Sequence, residues 1–410
     1  KMTENLLFTP ITLPNGTTIK NRFFKSAMSE GMGTRDFQPK KNIATLYKRW
    51  AEGGTGLIIT GNIMVDPKGT AEPGNIVFDK NSNMEILKNW AKQGQQHGAK
   101  VMVQLNHPGK QAPKTVSKQT VAPSAVPLGN GLNKLFSTPR AVTTNEVEEL
   151  VQKFVTSAKV AKEAGFSGVQ IHAAHGYLIS QFLSPHDNRR TDKYGGSLEN
   201  RMRFLKEIYL GMREELGKDF TIGIKINSTD FKEDGLTEED SLKTIIELAN
   251  LGLDFVEISG GTYERPAMMG ATSKSTNQVF FAEYSKKLKQ KIEIPVVVTG
   301  GIRSINAMNT LLNDNTTDFI GIARPLTIDP NIPNKIKQGT YTIVETTRVS
   351  TGVKKLDKIF GSLLGIVYYQ VLMQNIAKGK EPKATKNAWP SLIQAVYNQG
   401  LAVLFPQRAK

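Results

Sequence analysis

Cysteine is absent from all 410 residues. That excludes disulfides, thiolate zinc sites and cysteine-ligated iron–sulfur clusters, and it fits a reducing, cytoplasmic setting. Long apolar runs are missing too. The most apolar stretch, FGSLLGIVYYQVLM, is too short to cross a bilayer, so no integral membrane segment is expected. No signal peptide is evident, and Met2 reads as the natural start with Lys1 a remnant ahead of it. The chain has no Gly-x-Ser-x-Gly elbow, which argues against a Ser-His-Asp hydrolase. It has no RNP-like motif, zinc finger or arginine-rich run, so no nucleic-acid partner is expected. Acidic residues are outnumbered 37 to 53, a formal charge of +16. More than half of that excess lies in residues 331–410, with 12 Lys and Arg against 3 Asp and Glu. A solvated lysine-rich surface is the plain reading of it. Histidine is scarce as well: five in the chain, two of them three residues apart at His172 and His175.

What is present is a repeated alternation. Eight apolar, β-branched runs recur: Arg22–Met28, Gly56–Thr60, Val101–Leu105, Gly168–His172, Thr221–Asn227, Asp254–Ser259, Ile294–Gly300 and Asp318–Ala323. Continuous apolar runs suit strands buried on both faces of a parallel sheet. Helix-like stretches separate them, such as Asn145–Gly165, Thr237–Gly252 and Ala282–Lys291. Eight β–α repeats predict a (β/α)8 barrel over residues 1–338, with a doubly wound open sheet as the alternative. Ahead of the first strand, Asn15-Gly16 between alternating residues predicts a β-hairpin plugging the barrel floor. The third connection, from Asn106 to Thr144, is long and rich in Pro, Gly and Ser, as a loop capping an active site would be. Residues 339–410 form a C-terminal extension, helical in parts, in which GSLLGIVYYQVLMQNIAKGK and SLIQAVYNQGLAVL are the expected helices. Three readings are open for it: a helix packed on its own barrel, a homo-oligomer contact, or a basic helix on a membrane surface.

In such a barrel the C-terminal ends of the strands face the active site. Read in order they give Ser26, Ala27 and Met28; Thr60, Gly61 and Asn62; Gln104, Asn106 and His107; His172 and His175; Lys225 and Asn227; Ser259, Gly260 and Gly261; Gly300 and Gly301; Ala323 and Arg324. No carboxylate pair appears, which disfavours glycosidase chemistry. Gly300-Gly301 followed by Ala323-Arg324 reads as a phosphate site after the last two strands, with backbone N–H groups and a guanidinium gripping the anion. His172 and His175 read as donors to a substrate oxygen, as core histidines, or as ligands in a metal-dependent barrel hydrolase. The last needs at least a third protein ligand, and none is evident.

The block IHAAHGYLISQFLSPHDNRRTDKYGGSLENRMRFL resembles the old yellow enzyme family of FMN-dependent oxidoreductases. So do the opening LFTPITLPNGTTIKNRFFKSAM and the segments VVVTGGIRS and DFIGIARPLTIDP, over roughly residues 5–338. The resemblance implies an FMN-dependent NAD(P)H oxidoreductase, re-reduced by NADH or NADPH in the same site. Its substrate would be a small molecule with an electron-poor C=C bond, an α,β-unsaturated carbonyl compound reduced by hydride from flavin N5. NAD(P)H oxidase, flavin, quinone or nitro reductase activity at the same site is the near alternative. It further implies Ser26, Ala27, Met28 and Asn62 against the flavin, Gln104 on its pyrimidine edge and Lys225 near N1 and O2. Gly300, Gly301, Ala323 and Arg324 would hold the phosphate. His172 and His175 would hold the substrate carbonyl and Tyr177 would give a proton, its alternative being a packing tyrosine. This sequence departs from the family at Ser29, where many relatives have Cys; at Lys225, where Arg is common; at Ala323, usually Gly; and at Asn62, often smaller.

Overall fold

The computed structural model describes residues 5–259, 276–346 and 348–404. All eight predicted strands form, slightly trimmed: β1 (Phe23–Lys25), β2 (Leu57–Ile59), β3 (Lys100–Asn106), β4 (Gly168–Ala173), β5 (Thr221–Asn227), β6 (Phe255–Ser259), β7 (Val296–Thr299) and β8 (Phe319–Ile322). Each pairs in parallel with the next, and β8 pairs with β1, so the sheet closes into a barrel. The open-sheet alternative is thereby excluded. Around it lie α1 (Ile43–Glu52), α2 (Met84–Gly94), α3 (Thr144–Ala164), α4 (Arg203–Leu216), α5 (Glu238–Asn250), α6 (Thr276–Lys289), α7 (Ile305–Asn313) and α8 (Ile332–Gln338). The third of these starts at a capping box, in which Thr143 and Glu146 satisfy each other's backbone N–H, and it stops at Gly165 in the left-handed region. The sixth begins six residues before the predicted Ala282.

Alternation along the strands sorts the core. Phe24, Leu57, Met102, Phe255, Val297 and Phe319 point into the barrel and form its lower layer. Leu13 and Ile19 of the predicted hairpin join that layer from below, closing the floor. The hairpin pairs Ile11–Thr12 with Thr18–Ile19 across a turn whose Gly16 has φ +93°, and Asn15 Nδ2 ties it to the Asp219 carbonyl at 2.9 Å.

The extension folds back on the barrel as α9 (Lys354–Phe360), α10 (Leu363–Ala377) and α11 (Trp389–Gln399). Apolar almost all round, α10 is buried on two sides. Met373, Ile376 and Ala377 join the main core, while Leu364, Val367, Tyr368 and Leu372 pack with Leu392 and Ala395 of α11. Packing on its own barrel is therefore what this helix does. No single helix among the described residues is long and apolar enough to cross a bilayer; α9 and α10 qualify only as a pair, and they meet at an 80° bend.

Candidate active site

The mouth of the barrel gathers most of the expected residues. His172 sits at the end of β4 with Nδ1 accepting from the Ala174 amide at 3.2 Å. In the neutral ring this leaves the proton on Nε2, as a donor. His175 lies at φ +61°, an uncommon conformation for a residue with a Cβ and one concentrated at functional sites. The backbone there is pinned by its amide on Asn227 Oδ1 at 3.1 Å and its carbonyl on Gln111 Nε2 at 2.9 Å; Nε2 meets the Ser259 hydroxyl at 2.5 Å. The two imidazoles stand edge to face, 5.0 Å apart at 81°, and the Tyr177 ring is 4.9 Å from His172. Tyr177 is buried beneath Leu128, Leu132 and Phe136. Those three residues belong to the long third connection, which caps the site as its composition predicts. Among the described residues, no cluster of three His, Asp or Glu is placed to hold a metal.

Below the histidines lies a polar layer: Ser26, Gln104, Lys225 and, unforeseen from sequence, Gln170, Glu257 and Thr299. Ala27 and Met28 follow Ser26 at the rim, and a Cβ at Gly61 would come within 2.6 Å of the Met28 carbonyl. That contact brings Asn62 beside the exit of β1. Gly260 and Gly261 lie outside the described residues.

Across the mouth, Gly300 and Gly301 adopt φ +112° and +71°, which a side chain would resist. Arg324 lies close to Arg303, a residue that sequence reading passed over. Burial and the neighbouring Arg324 charge hold the Arg303 guanidinium below its ordinary value. Two guanidinium groups beside a glycine pair make a site for an anion. Tyr369 of α10 covers it, with its ring centroid 5.9 Å from the Arg324 guanidinium carbon.

A ring-shaped polar cofactor also has a socket. Asn106 is fully buried above Gln104, and neither of its amide atoms has a protein partner. Burying an amide without a hydrogen bond is costly, so this position fits a ligand with polar edges. Amides, an ammonium and a phosphate cradle together match the edge and tail of FMN.

Comparison with known proteins agrees. The sequence profile of the NADH:flavin oxidoreductase / NADH oxidase family matches residues 6–342. The chain belongs to that family. It is an FMN-dependent NAD(P)H flavin oxidoreductase of the old yellow enzyme type. Among its relatives is the NADH-dependent flavin oxidoreductase iliE of Hypocrea jecorina, 36% identical over 354 residues, covering 80% of this chain and 88% of the relative. The NADH oxidase of Thermoanaerobacter brockii is 36% identical over 78% of this chain but only 49% of its own length. Morphinone reductase in complex with tetrahydroNAD superposes with a TM-score of 0.69 at 26% identity, covering 83% of this chain and 92% of that one.

Side chains of the block that follows β4 order its loops. Arg190 pairs with Asp192 at 2.6 Å, Arg201 with Asp240 at 3.1 Å, and Asn188 bridges the Phe182 and Tyr194 carbonyls.

Three more features of this oxidoreductase escaped the sequence. Lys25, read as part of an apolar strand, faces outward into α1. It is fully buried, with Nζ on the Ile59 carbonyl at 2.8 Å and 4.5 Å from the Trp50 ring. Burial pulls it down to about 8, opposed by Glu30. Ser29 donates to the Glu72 carboxylate and accepts from Gln370 of the extension at 3.0 Å. Gln374 and Gln399 reach the Glu30 and Gly31 carbonyls in the same loop.

His107, at the end of β3, is buried and pushed down to about 4, chiefly by burial, with Lys153 adding to the push and Asp66 opposing it. Its folded value lies below the ordinary 6.5, so its neutral form favours folding above pH 6.5, and that advantage is lost as pH falls towards 4. His107→Asn keeps an acceptor for the Gly109 amide but cannot titrate. Denaturant midpoints at pH 7 and pH 4 should therefore show the variant losing less stability on acidification than the wild type. Parallel losses would remove His107 as the cause.

Proposed function

We propose that this oxidoreductase reduces the activated C=C bond of α,β-unsaturated carbonyl compounds, using NADH or NADPH. The observation that carries this is the pair of imidazoles at the end of β4, with the His172 tautomer set so that Nε2 donates and the Tyr177 ring alongside. When bound, FMN supplies the hydride. His172 and His175 hold the substrate carbonyl oxygen, drawing electron density away from the double bond. Tyr177 gives the proton to the α-carbon. Gln104, Lys225, Ser26, Ala27, Met28 and Asn62 hold the flavin ring. Gly300, Gly301, Ala323 and Arg324 hold its phosphate. The complex of morphinone reductase with a nicotinamide analogue supports alternate use of one site by reductant and substrate.

A steady-state screen of cyclic enones, quinones and nitro compounds with both nicotinamides tests the proposal. Saturated ketone as the main product of an enone supports it. Turnover only with oxygen or quinones favours a second reading, oxidase or quinone reductase, which the NADH oxidase relative supports.

Arg324→Ala should weaken FMN binding about 10- to 100-fold, the worth of a charged hydrogen-bonded contact of roughly 1.5–3 kcal/mol. Fluorescence titration of the apoprotein reads this directly, and unchanged affinity would move the phosphate elsewhere.

A further inference from the structure

An unbroken chain of buried hydrogen bonds crosses the barrel under the two histidines. Gln104 Nε2 donates to Gln170 Oε1 at 2.9 Å, and Gln170 Nε2 donates to Glu257 Oε1 at 2.9 Å. From the other side, the Thr299 hydroxyl donates to Glu257 Oε2 at 2.9 Å and lies 2.7 Å from Ser26 Oγ. Strands β3, β4, β6 and β7 and the exit of β1 each supply one member. Glu257 is completely buried at the centre, with Lys225 Nζ 3.7 Å from its Oε2. The two ends of this chain, Gln104 and Ser26, face the proposed flavin; its middle does not.

We infer that Glu257 is a positioning residue that sets the direction of every hydrogen bond in the layer, and so fixes what Gln104 and Ser26 present to the cofactor. The inference rests on the reading that FMN lies over this layer. A carboxylate can only accept. Gln170 must therefore turn its NH2 towards Glu257 and its carbonyl towards Gln104. Gln104 in turn commits one N–H to Gln170. Its carbonyl oxygen and second N–H remain, an acceptor beside a donor, complementary to an imide edge. On the other arm, the Thr299 proton is committed to Glu257, so Thr299 oxygen accepts and Ser26 donates to it. Ser26 is left with lone pairs only for the mouth. Without the carboxylate each amide could turn over at little cost, because its two ends are nearly isosteric. Hydrogen bonds in a buried chain reinforce one another, so the direction set at Glu257 reaches both ends. The same carboxylate offsets part of the Lys225 charge and so lowers the positive field beneath the ring.

Glu257→Gln tests this, since the amide has the shape of the carboxylate but can also donate. Both arms lose their enforced direction, and Lys225 loses its counter-charge. Oxidised FMN should bind about tenfold more weakly. Reduced FMN, favoured by the uncompensated Lys225, should be held as before. A tenfold change in that ratio raises the two-electron midpoint potential by about 30 mV. The double variant Glu257→Gln with Gln170→Glu moves the carboxylate one place along the chain, so Gln104 again faces a pure acceptor. It should recover most of the lost FMN affinity. Wild-type affinity and potential in Glu257→Gln, or no recovery in the double variant, would overturn the role of Glu257. A separate control distinguishes the underlying placement: if Gln104→Ala leaves FMN affinity unchanged, the cofactor does not lie on this layer, and the inference falls with that placement.

Discussion

Removing both imidazoles, with His172→Ala and His175→Ala, is expected to slow reduction of an enone by about 10³-fold while FMN stays bound. The magnitude follows from what the rings do. Each preorganised donor to a developing oxyanion typically contributes 10²–10³ in rate. Two donors on one oxygen act as a unit, so the double variant should fall little below the worse single one. Both rings are fixed in place: His172 by the Ala174 amide on its Nδ1, His175 by its backbone amide on Asn227 and by its Nε2 on the Ser259 hydroxyl. Flavin retention follows from distance along the fold. The cradle proposed for the phosphate is built from the loops after β7 and β8, and Gln104 is held by Gln170 rather than by either histidine. Rapid mixing of the reduced enzyme with enone gives the rate, and absorbance near the flavin bands gives the occupancy. An unchanged rate would remove the histidines from catalysis. Loss of colour would make them cofactor ligands instead.

The second large effect concerns the extension. A chain ended after Gln338 should fail to accumulate as a folded, yellow protein. Truncating one buried Leu, Ile or Met to Ala costs roughly 2–5 kcal/mol, and whole domains are stable by only about 5–15 kcal/mol. Deleting α10 uncovers the surface that Met373, Ile376 and Ala377 bury in the main core. Ending the chain after Gln338 also removes Gln370 and Gln374 of α10 and Gln399 of α11 from the loop after β1, where Gly31 at φ +64° leaves no room for a side chain against Gln399. Soluble expression, flavin content and thermal midpoint of the shortened chain report on this together. A shortened protein that keeps its FMN and its melting temperature would make the extension an independent appendage. The milder Gln370→Ala separates the two contributions: it should leave the fold stable while releasing Ser29 from one of its two partners.

The barrel was legible because its strands are buried on both faces, and continuous runs such as Thr221–Asn227 announce that whatever surrounds them. The hairpin was legible because Asn15-Gly16 demands its own turn. Gly300-Gly301 and Arg324 could be paired in advance because a fixed fold brings the ends of adjacent strands together. Lys25 and Glu257 could not be placed so easily. Each is one charged residue inside an apolar run, and whether it points into the barrel or out towards a helix depends on register, which local sequence does not reveal. Asn106 was named among the strand ends without a role, for its significance lies in the absence of partners. The extension was hardest. Its apolar helix looks the same in sequence whatever surface it will meet; Met373, Ile376 and Ala377 in the main core, with the glutamines seated on the β1 exit, show that one face of it meets the barrel.

The vertical order of the barrel interior has one more consequence. Grease fills the lower half, sealed from beneath by Leu13 and Ile19, whereas the upper half is a lattice of amides, hydroxyls and charges. Cohesion and reactivity thus occupy different storeys. Asn62 and Ser29, at the rim, take no part in the apolar layer on which the barrel stands.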